Sequence, residues 1–284
     1  WQMRCTLSGL KRNNMCSRTC YKADAMFGAR AVGEKLTTAA RLAGRAVCVI
    51  GSEDPFPGSG RLGKVDRCIA RVVCNIALDR KAGPVTFGLH AKEGICPGGQ
   101  MWCGLAAASP MLKFFLSTGT PEFMGGAAEH LKPTPEAAER FLMAPGRITL
   151  PGRYLSLAGH DVVEDDAEVL SLVLFGTAES MRNLSGLVHY VSDDIFTAVL
   201  MPGGASCASM ITYAAGMAER APKNAAYIGP VDPTGNAWLP GDLMSMALPM
   251  PLARKMAENV DRSFLGKRSG VAFPEKRLEG NERR

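Results

Sequence analysis

The sequence predicts an α/β or mixed α+β fold, a sheet with flanking helices in a single compact domain, and three observations predict it. Short strand-like apolar runs alternate with helix-period patterns over most of residues 46–265. Hydrophobic residues make up 46% of the 284 and charged residues 21%, which supplies the apolar mass for a core and excludes disordered and collagen-like classes. A single core stops growing at about 250–300 residues, so one domain with tails accounts for the length. The domain is placed at residues 26–266, between a basic extension at 1–25 and a charged tail at 267–284. The first methionines are Met3, Met15 and Met26, so the start is expected to be a fragment edge or the segment before Met26 to lie upstream of the real start; with few periodic apolar positions and many charges, residues 1–25 are expected to contribute little to the core.

Residues 26–44 carry Ala29, Val32, Leu36, Ala39, Ala40 and Leu42 at near-helical spacing, with Gly44 as the stop, and read as an amphipathic helix. Ala46 to Ile50 is a fully apolar run before a turn-rich GSEDPFPGSG, which fits a buried strand and a surface loop. Val65, Ile69, Val72, Val73 and Ile76 mark one face of a helix over 64–78, and 84–89 reads as the next strand. In the segment from Cys96 to Leu105, Gly98 and Gly99 predict a tight backbone loop opening a helix.

In the second half, Thr134 with Pro135 is a cap and first-turn proline for the helix PEAAERFL. Strands are expected at 154–158 and 169–175, then a helix capped by Thr177, then a strand at 196–201, together a βαβ unit. Gly203-Gly204-Ala205-Ser206-Cys207 is a second glycine turn, predicted to run into a helix over 208–220. Strands at 225–229 and 243–248 and a helix at 251–265 complete the reading.

Formal net charge is +6, with the excess at the two ends. No aromatic residues interleave with these charges and no recognition module accompanies them, so solvated tails are expected and no nucleic-acid partner. No stretch reaches the ~18 apolar residues of a membrane helix, and the first 30 residues lack a signal-length hydrophobic segment. A cytoplasmic protein without a membrane partner is expected. Nine cysteines, an odd number scattered over two hundred residues, are not a disulfide framework in a reducing compartment.

Each glycine turn is joined to a cysteine, Cys96 before one and Cys207 after the other. A cysteine at a helix N-terminus meets unpaired N–H groups and the positive end of the dipole, which favours the thiolate. Such a sulfur binds metal or attacks electrophiles; the plain alternative is a small core residue beside an ordinary turn. Cys68 on another helix and Cys103, seven residues after Cys96, allow a cluster of three or four thiolates gathered from distant segments, as iron–sulfur clusters and zinc accept. Cys5, Cys16 and Cys20 form a looser group without zinc-finger or ferredoxin spacing.

None of His90, His130, His160 and His189 forms a metal-binding pair, although His90 and His160 each follow a predicted strand. Dinucleotide-binding, Walker A and nucleophile-elbow patterns are missing. The acidic run Asp161, Glu164, Asp165, Asp166 and Glu168 does not match a calcium loop and reads as solvated.

Asp66-Arg67-Cys68 opening a helix, Cys96-Pro97-Gly98-Gly99 with Gly104-Leu105 close behind, the PEAAERFL helix, and Gly204-Ala205-Ser206-Cys207 before another helix together resemble the domain of unknown function 169 family, over about 46–260. That family's pattern has a cysteine at the positions of Cys68, Cys96 and Cys207, and it is found largely in archaea and anaerobic bacteria. The resemblance names no activity, but its setting suits oxygen-sensitive thiolate chemistry. Some relatives carry a further cysteine in the segment matching 229–235, which this chain lacks, so the fourth ligand stays open. The first expectation is a metal centre, an iron–sulfur cluster or zinc, held by Cys68, Cys96 and Cys207 with Cys103 or a non-protein group fourth, and a redox partner or small molecule acting there. The rival is a thiol-dependent or small-molecule-binding enzyme in which Gly98, Gly99, Gly203 and Gly204 present N–H groups to an anion and Cys96 or Cys207 is the nucleophile. A third is a scaffold whose cysteines are core residues. Whether the protein is an enzyme is left open.

Overall fold

The computed structural model describes residues 27–60, 68–88, 94–164 and 167–267, apart from the side chains of Thr234 and Asn236. The tails, Cys5, Cys16, Cys20, His90, Asp66, Arg67, Asp165 and Asp166 fall outside the described residues.

The fold is a mixed α/β body of seven strands and eight α-helices among the described residues. In chain order these are α1 (Ala29–Ala39), β1 (Val47–Ser52), α2 (Ile69–Leu78), β2 (Val85–Gly88), α3 (Pro97–Trp102), α4 (Leu112–Phe115), α5 (Pro135–Met143), β3 (Tyr154–Gly159), β4 (Val169–Gly176), α6 (Ala178–Val191), β5 (Val199–Leu200), β6 (Ala226–Gly229), α7 (Pro233–Asn236), β7 (Met244–Pro249) and α8 (Met250–Asn259). The strands form one sheet in the order β2-β3-β1-β4-β7-β6-β5. Every pairing is antiparallel except β5 with β6.

Period-two alternation divides the sheet's side chains between two cores. Val47, Val49, Leu155, Leu157, Val173 and Phe175 face α2, α3 and α5 on one side. Cys48, Ile50, Leu172, Leu174, Met246 and Leu248 face α1, α6 and α8 on the other. Helices on both faces explain why the central strands are continuous apolar runs although most of the pairing is antiparallel.

The predicted caps hold. Thr134 Oγ1 accepts from the Ala137 N–H at 3.2 Å and Thr177 Oγ1 from the Ser180 N–H at 3.4 Å. β4, α6 and β5 form the expected βαβ crossover, because the two antiparallel steps from β4 through β7 to β6 leave β5 parallel to β4. Two elements differ from expectation. The strand expected over 196–201 shrinks to Val199–Leu200, since Phe196 and Thr197 are held in a turn by Asp194. The helix expected over 208–220 is a π-helix, Ala208–Thr212, followed by turns and a left-handed Gly216.

Arg45 joins the layers at a buried corner. Its guanidinium donates to the carbonyls of Ile76 at 2.6 Å, Asp79 at 3.4 Å and Ala82, and pairs with Asp161 at 3.0 Å. Asp161, read from the sequence as part of a solvated run, is therefore structural. Arg45→Met is expected to lower stability by about 3–5 kcal/mol in urea unfolding, because it strands several acceptors at once. A loss under about 1 kcal/mol would refute this account.

Candidate functional site

Helix ends bring four of the six described cysteines into one region of the core that contains α2 and α3. Cys68 is the N-cap of α2, Cys96 the N-cap and Cys103 the C-cap of α3, and Cys207 precedes the π-helix. α3 begins at Pro97, whose fixed φ suits the first helical position, and Cys96 Sγ accepts from the Gly99 N–H at 3.3 Å. Gly98 and Gly99 thus lie in the first helical turn rather than in a loop before it. A Cβ on Gly99 would stand 3.3 Å from both Cys96 Sγ and the Ile69 side chain, so glycine lets α3 and α2 approach.

The sulfurs fall into two neighbouring pairs, Cys68 beside Cys96 and Cys103 beside Cys207. The Cys96 thiol donates to Cys68 and holds it down to about 6 against the opposing effect of burial, with help from the Ala70 and Arg71 N–H groups. Cys68 closes no capping hydrogen bond in α2, so those N–H groups act as dipoles. Cys96, as the donor, is pushed up by that bond and by burial. Cys207 is raised by its bond with Cys103 and by burial, and charge on Cys96 or Cys68 adds to the effect. Cys48 and Cys74 lie among core side chains and burial pushes each to about 12, so these two are packing residues.

Cys68, Cys96 and Cys207 line a cavity of about 120 Å³. Its wall is mostly apolar, with Trp102, Phe115 and Phe123 contributing rings, and among the described residues none that line it is basic. Trp102 is held edge-on by Phe141 at 6.1 Å and Tyr213 at 6.2 Å. Asp232 adds a buried carboxylate, fixed by the Ser206 hydroxyl and by the Gly235 N–H at 3.0 Å.

Three of the four sequence-predicted ligands therefore meet at one cavity, and Cys103 lies behind it, fully buried. Among the described residues no three His, Cys, Asp or Glu side chains form a group placed to hold a metal ion. Of the predicted anion cradle, Gly98 and Gly99 line the cavity, but the Gly99 N–H is taken by Cys96. Gly203 lines a separate cavity of about 220 Å³ with Tyr213 and Tyr227, and Gly204 packs under Tyr213. His160 is buried against Gly33 with its Nδ1 3.4 Å from the Ala46 carbonyl, and burial lowers its pKa. His130 and His189 do not line the cysteine cavity.

Asp232, Ser206 and Trp102 were not singled out from the sequence. One signal marked Asp232: Asp232-Pro233 repeats the cap-and-proline pattern of Cys96-Pro97 and Thr134-Pro135, and each of the three caps a helix. No helix among the described residues is long and apolar enough to cross a membrane.

No curated protein and no solved structure gives a significant match to the chain. The family described as DUF169, uncharacterised ArCR, matches residues 35–259, a span that holds every cysteine of the cavity. The chain belongs to the DUF169 family.

Proposed function

We propose that the cavity is a dithiol redox centre in which Cys68 is the attacking thiolate and Cys96 the resolving thiol, serving a small apolar, uncharged molecule. The observation that carries this reading is the placement of Cys68 and Cys96, each at the start of a helix, together at the wall of an apolar cavity. In reaction with a small disulfide, Cys68 sulfur attacks one sulfur and forms a mixed disulfide, while the departing thiolate takes the Cys96 proton. Cys96 then displaces the second thiol, leaving a Cys68–Cys96 disulfide and two reduced product thiols. Asp232 and the Cys68 thiolate repel anions, so the anionic ligand weighed from the glycine turns is disfavoured. The arrangement moves the nucleophile from Cys96 or Cys207 to Cys68, because those two are the thiols that burial and donation keep protonated.

A second reading, the thiolate metal centre expected from the sequence, is favoured by the gathering of Cys68, Cys96, Cys103 and Cys207 from three separate stretches of chain. An iron–sulfur cluster or zinc is the group such ligands accept. One preparation decides between them. Protein purified without oxygen is expected to carry less than about 0.1 metal per chain and no visible absorption, and to form a Cys68–Cys96 disulfide with the small uncharged disulfide of 2-mercaptoethanol. About one zinc or a cluster per chain, lost in Cys96→Ser, would establish the metal reading instead.

A further inference from the structure

We propose that Cys103 and Cys207 are a second, interior dithiol that is oxidised only through Cys68 and Cys96, so that the protein stores four electrons. The inference rests on the dithiol reading of the cavity and extends it inward. Cys103 is 0% exposed and does not line the cavity, whereas Cys207, 5% exposed, does. Cys207 thus stands between the two compartments, sharing the cavity wall with Cys68 and Cys96 and neighbouring Cys103 in the core. Cys96 and Cys103 sit seven residues apart at the two ends of α3, two helical turns and so on one face. Side chains on a helix lean towards its N-terminus, which tilts Cys103 towards Cys96. Behind Cys207 the chain adopts a π-helix, a distortion that is frequent where function fixes a backbone, and Thr212 of that helix bonds to the Trp102 carbonyl.

The transfer is a pair of exchanges. Cys207, protonated at rest, first loses its proton to water at the cavity wall; its thiolate then attacks Cys96 of the Cys68–Cys96 disulfide, and Cys68 leaves as a thiolate. Cys103 then attacks Cys207, and Cys96 leaves and takes up a proton. One disulfide is broken and one formed. No electrons enter or leave, and of the two interior protons one passes to Cys96 and one to water. A thiolate with a low pKa leaves fast, so the first exchange runs inward from Cys68.

Disulfide mapping by peptide mass spectrometry tests the route. The reduced full-length protein is treated anaerobically with an excess of the uncharged disulfide of 2-mercaptoethanol, quenched in acid at intervals, unfolded and alkylated. In the wild type the Cys68–Cys96 disulfide is expected first, followed by Cys103–Cys207 with a lag. Cys103→Ser, a change outside the cavity wall, should form the first disulfide at the wild-type rate and stop after two electrons. Cys68→Ser should slow the Cys103–Cys207 disulfide at least tenfold, and Cys96→Ser should trap 2-mercaptoethanol on Cys68 as a mixed disulfide with the interior thiols still reduced. Either variant suffices should the other fail to fold. An interior disulfide formed at the wild-type rate in both, or a wild type that stops at Cys68–Cys96, would overturn the relay and leave the outer centre standing. A wild type that forms no Cys68–Cys96 disulfide would overturn both.

Discussion

Alkylation of Cys68 by iodoacetamide is expected to follow a titration with its midpoint near pH 6, well below the ordinary cysteine value of ~8.5. The largest cause is the hydrogen bond donated by Cys96, so Cys96→Ala should move the midpoint up, towards the ordinary range. The rate at pH 7 is the wrong measurement for this test. Moving a thiol from about 6 to ~8.5 cuts its thiolate fraction at pH 7 about thirtyfold. Intrinsic nucleophilicity rises with pKa at a slope of ~0.4–0.5, which returns about tenfold, so the net fall is only about threefold. The midpoint has no such compensation. Asp232→Asn should move it the other way, because the carboxylate is a like charge that opposes the Cys68 thiolate, and this is the smallest of the causes acting on it. Opposite shifts in the two variants would tie the reactivity to these two groups. An unchanged midpoint in Cys96→Ala would leave the dithiol assignment without its basis.

Much of this arrangement was legible in the chain, and the reasons are local. A cap followed by proline needs only two residues to specify a helix start, so Thr134-Pro135 located α5 directly, whereas at α3 the Gly98-Gly99 pair draws the reading to a loop and masks the same pattern in Cys96-Pro97. Apolar runs such as Val47 to Ile50 announce strands covered on both faces, since only burial on both sides removes the alternation. The convergence of Cys68, Cys96 and Cys207 at one cavity was reached from family resemblance and from the shared position of cysteines at helix starts. What local pattern cannot carry is pairing. Whether four thiols make one cluster or two neighbouring pairs depends on where α2, α3 and the π-helix cross, and those crossings are set by contacts such as Gly99 against Ile69. The π-helix escaped for the same reason. Its residues have the apolar spacing of an ordinary helix, and its widened turn goes with contacts to distant residues, including Thr212 to Trp102 and Tyr213 to the Gly203 carbonyl. Asp161 read as solvated because its partner Arg45 lies 116 residues away.

Unfolding free energy of the fully reduced protein is expected to peak near pH 8–9 and to fall on both sides, with the thiols responsible for each limb. Cys68 has a folded value of about 6, below its unfolded ~8.5, so its contribution is fully present above ~8.5 and is lost as pH falls through 6. Below ~6.5 His160 adds a loss of the same sign, because burial keeps its folded ring neutral while the unfolded ring takes a proton. The interval from pH 7 to 8.5 therefore isolates Cys68, with a slope of up to ~1.4 kcal/mol per pH unit. Cys48 and Cys74 behave oppositely. Their folded values of about 12 exceed the unfolded value, so their contribution is complete below ~8.5 and is lost as pH rises towards 12. Cys96 and Cys207, raised by donation and burial, share that sign, and Tyr227, at about 12, joins above pH 10. Several groups act on the alkaline limb and one on the limb between 7 and 8.5, so the alkaline fall should be the steeper. Urea unfolding under reductant at half-unit steps from pH 6 to 10 measures both. Cys68→Ser should flatten the rise between 7 and 8.5 and, because Cys68 is the largest cause raising Cys96, weaken the alkaline limb in part, whereas Cys48→Ala should reduce the alkaline slope by up to ~1.4 kcal/mol per pH unit without touching the other. A wild type whose stability is flat from pH 7 to 8.5 would show that Cys68 is protonated in the folded protein, and the attacking thiolate would have to be sought elsewhere.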